Sequence, residues 1–154
     1  MEIIIERAKE EDAEETRRVM LICFKELIEK YQPELNSLAK ISLDRIKLLF
    51  ANHVFYNVFF ENMIIGGVHL IENLADNHYI DKIYILPKYQ NLGLGKRVLD
   101  FIESDHPDAR LWTLLTAVES PRNNYFYVKN GYIKYGEYKK SERLILNQYK
   151  KEVY

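Results

Sequence analysis

The sequence holds a single cysteine, Cys23, among its 154 residues. That excludes an intrachain disulfide and any multi-cysteine metal site, and it fits a reducing compartment. An excess of either charge is missing as well: 22 Lys and Arg stand against 23 Asp and Glu, a formal net charge of -1. So balanced a chain exerts no broad pull on nucleic acid or on an anionic membrane, and any recognition of phosphate must be local. No stretch approaches the ~20 apolar residues of a membrane span. Met1 to Glu6 has neither the basic flank nor the long apolar run of a secretion signal, so the expectation is a soluble cytoplasmic protein. There is no His-x-x-x-His arrangement. His53 and His69 lie beside apolar runs without a partner at ligand spacing, which reads as structural or solvent-facing, and no metal is expected.

What is present is material for a core. Apolar residues make up 47% and aromatic residues 13%, with 12 tyrosines, and the length suits one domain spanning residues 1–154. Ile3 to Ile5 reads as a strand entering an acid-rich helix start. Met20, Cys23, Phe24, Leu27, Ile28 and Tyr31 then recur at helical spacing until Pro33. Ser42 caps a second helix carrying Leu43, Ile46 and Phe50. Val54 to Phe60 and Met63 to Ile71 read as a hairpin turned by Glu61-Asn62, and Tyr79 to Leu86 as a strand stopped by Pro87. A helix with Leu94, Val98, Phe101 and Ile102 on one face precedes Leu111 to Ala117, a strand apolar on both faces and so central. Ser120-Pro121 opens a helix that Asn130-Gly131 ends, and Tyr132 to Tyr138 and Leu144 to Tyr149 close the chain as strands. The pattern predicts a single-domain α/β fold, with a mixed sheet of about seven strands and about four helices.

The most informative segment is Ile83-Tyr84-Ile85-Leu86-Pro87, followed by Gln90-Asn91-Leu92-Gly93-Leu94-Gly95-Lys96: a strand, a stop, a glycine-bearing turn and a helix start. Gly93 and Gly95 let backbone N–H groups approach an anion without Cβ interference, and the new helix aims its unpaired donors and positive dipole end at the same spot. Lys96 and Arg97 add charge. A dinucleotide fingerprint would need glycine at Val98, and a P-loop would need glycine at Gln90 and Ser or Thr at Arg97, so neither fits.

Gln90-x-x-Gly93-x-Gly95 after that strand resembles the acetyl-CoA signature of the GNAT superfamily, the Gcn5-related N-acetyltransferases. Arg122-Asn123-x-x-Phe126-Tyr127-x-Lys129-x-Gly131-Tyr132 is similar to its second motif, and Ile5-Glu6-Arg7-Ala8 with Glu11-Asp12 to its first strand and helix. The asparagine that many members carry at the start of the second motif falls on Ser120, with Asn123 the nearer equivalent. The resemblance covers essentially the whole chain and implies a mostly antiparallel GNAT sheet. It implies that the backbone around Ile83, Tyr84 and Ile85 pairs with the pantetheine arm of acetyl-CoA, that Gln90, Asn91, Leu92, Gly93, Leu94, Gly95 and Lys96 surround the pyrophosphate, and that Asn123 and Tyr127 lie on the cofactor. An acceptor pocket is implied between Phe24 and Phe60, where Tyr31, Phe55, Tyr56 and Phe59 are candidates for its walls.

Acetyl transfer from a thioester to a primary amine, of a small molecule or a peptide, requires a neutral nucleophile, a partner for the oxyanion and a proton for the departing thiolate. Tyr127 is the candidate acid, since a phenol of pKa about 10 stays protonated at neutral pH and can still donate to a thiolate whose conjugate acid is near 8.5. A backbone N–H of the Ile83 to Ile85 strand is the implied oxyanion donor. Asp81, and after it His78, are the candidate bases, although an amine can also shed its proton to water. Cys23 falls on an apolar helix stripe and reads as a small core residue, which favours direct attack in a ternary complex over an acyl-cysteine. The alternative reading is a non-catalytic acyl-CoA sensor or interaction module. Exposed late strands would also suit a homodimer.

Overall fold

Ile4–Arg7 forms strand β1, and the acids that follow, Glu10–Asp12, make one 3-10 turn leading into helix α1 (Ala13–Lys30). A computed structural model describes residues 1–74 and 76–154. On α1, Val19, Met20 and Ile28 are buried, whereas Cys23, Phe24 and Leu27 of the same stripe stay half-buried, because that part of the helix overhangs a cleft. A four-residue helix, α2 (Asn36–Ala39), follows, which the sequence pattern does not announce. Helix α3 (Leu43–Asn52) starts at the expected cap: the Ser42 hydroxyl accepts the Arg45 N–H at 3.0 Å.

Strands β2 (Val54–Phe60) and β3 (Met63–Leu74) are joined at Glu61 and Asn62, whose φ values of 49° and 65° are those of a tight hairpin turn with both central residues left-handed. Strand β4 (Asn77–Ile85) starts at Asn77 rather than Tyr79, and Pro87 opens a 3-10 turn. Helix α4 (Leu94–Asp105), strand β5 (Leu111–Ala117), helix α5 (Pro121–Lys129) and strands β6 (Ile133–Lys139) and β7 (Ile145–Glu152) complete the chain. The chain leaves α5 through Asn130 and the left-handed Gly131, with φ 93°. Its start differs from expectation: the Ser120 side chain makes no cap bond, and the turn is tied down by Asn124 instead.

The seven strands form one sheet in the order β1-β2-β3-β4-β5-β7-β6, and among the described residues β4–β5 is its single parallel pair. α1 and α3 cover one face through Val19, Met20, Ile46 and Leu49 on Phe55, Ile64 and Tyr84. α4 covers the other through Val98, Leu99 and Ile102, over Tyr56, Val68, Ile80 and Trp112. Each such aliphatic side chain stabilises the fold by about 1.5–3 kcal/mol when fully buried. β4 and β5 pair only from Asn77↔Leu111 to Ile80↔Leu114. At Asp81 the register with β3 slips, since Leu70 faces Ile80 while His69 faces Lys82, so Asp81 is an extra residue. Such a bulge bends its strand. Beyond it β4 runs on beside β3, β5 runs on beside β7, and the sheet parts. Among the described residues no helix is long and apolar enough to cross a membrane.

Candidate active site

The parting of β4 from β5 opens a cleft of about 870 Å³. One wall is Ile83, Tyr84 and Ile85 of β4; the opposite wall is Ala117 with the start of α5; α1 overhangs one side and the first turn of α4 the other. Every residue expected from sequence to hold a cofactor lines this cleft, namely Ile83, Tyr84, Ile85, Gln90, Asn91, Gly93, Leu94, Gly95, Lys96, Asn123 and Tyr127, with the exception of Leu92, whose side chain is exposed.

The turn before α4 leaves its backbone open. Asn91 and Gly93 have φ of 63° and 75°, and a Cβ at Gly93 would meet nothing within 4 Å, so the backbone is open to a ligand there. Gly95 serves a different end: its Cβ would come within 2.9 Å of Phe126, so its glycine lets α4 and α5 close together. The first-turn N–H groups of α4 have no intrahelical partner. Lys96, Arg122 and Lys129 bring positive charge to the same cleft; Arg122 and Lys129 belong to the second motif but have no role of their own in the sequence, and Tyr125, also in the wall, stands outside the motif. Gln90 acts as a brace. Its Nε2 donates to the Ile85 carbonyl at 2.9 Å, doing for one carbonyl what a missing strand would do, and its Oε1 accepts from Arg122.

Tyr127 stands on α5 in the cleft wall, 8% exposed, packed against Tyr132 and Tyr149. Burial, and secondarily the nearby Tyr79, push its phenol well above the ordinary value, so it is protonated throughout the neutral range. Its helix is fixed by Asn124, a residue the sequence reading passed over. Asn124 Nδ2 donates to the carbonyls of Ser120 at 2.6 Å and Ala117 at 3.0 Å, and its Oδ1 accepts from Asn147 at 2.8 Å and Tyr149 at 2.6 Å. The available signal is an asparagine in the first turn of a helix that follows a strand end. At the α1 end, Tyr31 and Lys30 reach across the cleft to Glu119, at 2.9 and 2.7 Å.

Asp81 is not in the cleft wall. It accepts from His69 Nδ1 at 3.1 Å and from Lys82, and these partners outweigh its burial and hold the carboxyl well below the usual range. His69 in turn shares a 2.8 Å contact with His53, so the two histidines have each other as partners, which their spacing in sequence had not suggested. His78 packs on Trp112 and His106 in the closed half of the sheet. Neither Asp81 nor His78 is brought to Tyr127. Of the aromatic residues expected in an acceptor pocket, Tyr31 lines the cleft. Phe55 lies under α3 against Phe50, Tyr56 is on the opposite face bonded to Asp105, and Phe59 is near Ile4 at the far edge. The reason is the sheet order: β3 and β4 stand between β2 and the parting. Burial pushes the Cys23 thiol up to about 12. Among the described residues no three His, Cys, Asp or Glu side chains gather in a way that could hold a metal ion.

A seven-stranded sheet that parts beyond a bulge, with a glycine turn and helix N-terminus at the opening, defines an acetyltransferase of the Gcn5-related kind. The chain belongs to the acetyltransferase (GNAT) domain family, whose profile matches residues 51–134. No curated protein sequence matches it. Solved structures similar to it include the PaiA N-acetyltransferase of Thermoplasma acidophilum in complex with coenzyme A, at TM-score 0.84 and 20% identity over 99% of this chain and 100% of that one. An acetyltransferase of the GNAT family from Streptococcus pneumoniae superposes at TM-score 0.75 with 16% identity, over 99% of each chain. The IAA acetyltransferase of Bacillus cereus ATCC 14579 does so at 0.72 with 15% identity, over 99% of this chain and 100% of that one. At these identities the likeness is one of fold.

Proposed function

We propose that residues 1–154 act as one N-acetyltransferase domain that moves the acetyl group of acetyl-CoA to a primary amine, of a small molecule or a peptide, by direct attack in a ternary complex. The observation that carries this reading is the meeting, in one cleft, of the unpaired edge of β4, the open turn at Gly93 and the buried phenol of Tyr127. The residues fit a CoA thioester: main-chain groups of Ile83 to Ile85 suit the amides of a pantetheine arm, and the first turn of α4 with Lys96 and Arg122 suits a pyrophosphate. When bound, the thioester supplies an activated acetyl group. A β4 backbone N–H holds the developing oxyanion, and Tyr127, protonated throughout the neutral range, gives its proton to the thiolate as the carbon–sulfur bond breaks; the thiol, with a pKa near 8.5, is the stronger acid, so the phenolate is reprotonated as soon as the thiol departs.

Cys23, protonated up to about 12, is a poor nucleophile, which favours direct transfer. Asp81, held at low pKa and turned to His69, is a weak base, so the amine's proton leaves to water. The lone cysteine suits a cytoplasmic setting. Two copies would pair most readily through β6, the edge strand that exposes Ile133, Tyr135 and Tyr138.

The test is release of free thiol from acetyl-CoA in the presence of a panel of amines. Tyr127→Phe is expected to lower kcat about 100-fold while KM for acetyl-CoA stays within about threefold. Tight binding of acetyl-CoA without thiol release across the panel would make the protein a sensor.

A further inference from the structure

Asn57, Gly67 and Tyr84 stand in one cross-strand row over β2, β3 and β4. Side chains in such a row share a face of the sheet, so on the α1 side only the hydrogen of Gly67 separates the other two. The Tyr84 ring lies in that gap. A Cβ at Gly67 would be 2.6 Å from Tyr84 Oη and 2.8 Å from Cζ. The other side of the ring is cleft wall, shared with Cys23 and Phe24 of α1, and the Phe24 ring stands against it edge-on at 5.6 Å.

The ring is therefore held from both sides and has no room to withdraw. It is 6% exposed, and its hydroxyl has no hydrogen-bond partner among the described residues. What the side chain supplies here is the bulk of a ring filling the space over Gly67, and not a bond made by its oxygen. Cys23, Phe24 and the ring give this wall an apolar surface beside the β4 edge. On the reading above, the thioester lies along that edge, and its acyl chain would extend towards this wall. We propose that Tyr84, seated over Gly67, is the stop that restricts the donor's acyl group to a short one. The inference rests on the donor-site reading and adds to it a residue that determines acyl-chain specificity.

A binding experiment tests this without knowledge of the acceptor. Coenzyme A and its unreactive S-ethyl, S-butyl and S-hexyl thioethers are titrated by calorimetry into the wild-type protein, Tyr84→Phe, Tyr84→Ala and Gly67→Ala, each checked for folding by circular dichroism. The wild type is expected to lose at least about tenfold in affinity from S-ethyl to S-butyl, the scale on which a filled pocket rejects extra methylenes. Tyr84→Phe keeps the ring and should keep that loss. Tyr84→Ala should bring the three thioethers within about threefold of one another, and Tyr84→Leu takes its place if the alanine variant does not fold. Gly67→Ala tilts the ring into the cleft and should weaken S-ethyl binding while coenzyme A itself is retained. A loss with chain length that persists unchanged in Tyr84→Ala or Tyr84→Leu, or no such loss in the wild type, overturns the inference and leaves the donor site standing. Failure of the wild type to bind coenzyme A at all defeats the donor-site reading, and the stop with it.

Discussion

Along β4 the first half, Asn77 to Ile80, is bonded between β3 and β5, whereas the second half, Asp81 to Ile85, is bonded to β3 alone. The closed half packs His78 on Trp112 and puts Ile80 in the core. The open half is held by side chains: Gln90 on the Ile85 carbonyl, Lys82 and His69 on Asp81, and the Tyr84 ring over Gly67. Backbone groups that a neighbouring strand would consume are left for a ligand. On the proposed reading, one strand serves stability in its first half and binding in its second, and changes to the two halves should separate these properties.

The largest effect is expected in the closed half. Trp112 is fully buried at the β4–β5 pairing, and Trp112→Ala should cost about 3–5 kcal/mol of unfolding free energy in a urea titration, while acetyl-CoA affinity of the folded fraction changes little. Next comes the far wall of the opening. Asn124→Ala strips partners from Asn147, Tyr149 and two carbonyls, and should cost about 2–3 kcal/mol and also lower kcat, because α5 carries Tyr127. Equal effects of these two substitutions on kcat would break the comparison.

The smallest effect lies outside the cleft. Arg143, in the β6–β7 turn, bonds Glu34, in the segment after α1, at 2.8 Å and holds its carboxyl down at about 2. A lowered folded-state pKa contributes stability that is present above the ordinary value near 4.5 and lost as pH falls towards about 2. Glu34→Gln should lower Tm at pH 7 by no more than about 3 °C and flatten the fall of Tm with pH across that acid window. An unchanged acid slope would show that the tie contributes nothing.

Much of this was legible in the sequence, for reasons that can be named. Gly93, Pro87, Asn62 and Gly131 punctuate the chain where the backbone has few other choices, and β-branched and aromatic runs mark the strands between them. The cleft residues followed because the turn, the strand before it and the helix after it are contiguous. What could not be read depends on register and strand order. Phe55 and Tyr56 are neighbours, yet the pleat sends them to opposite faces, and no local pattern says that two strands separate both from the opening. Asp81 looked free to act as a base because the bulge that turns it to His69 is a property of pairing. Cys23 sits on the buried stripe as expected, but the stripe runs out over the cleft.

The most direct test of the account is calorimetric titration of acetyl-CoA into the wild-type protein and Gly93→Asp. The open space at Gly93 and the tolerance of aspartate for left-handed φ let that variant fold, while its carboxylate occupies the ground assigned to the pyrophosphate. Micromolar binding to the wild type, weakened at least about 100-fold in the variant, is the predicted result; equal binding to both, or none to the wild type, would contradict it.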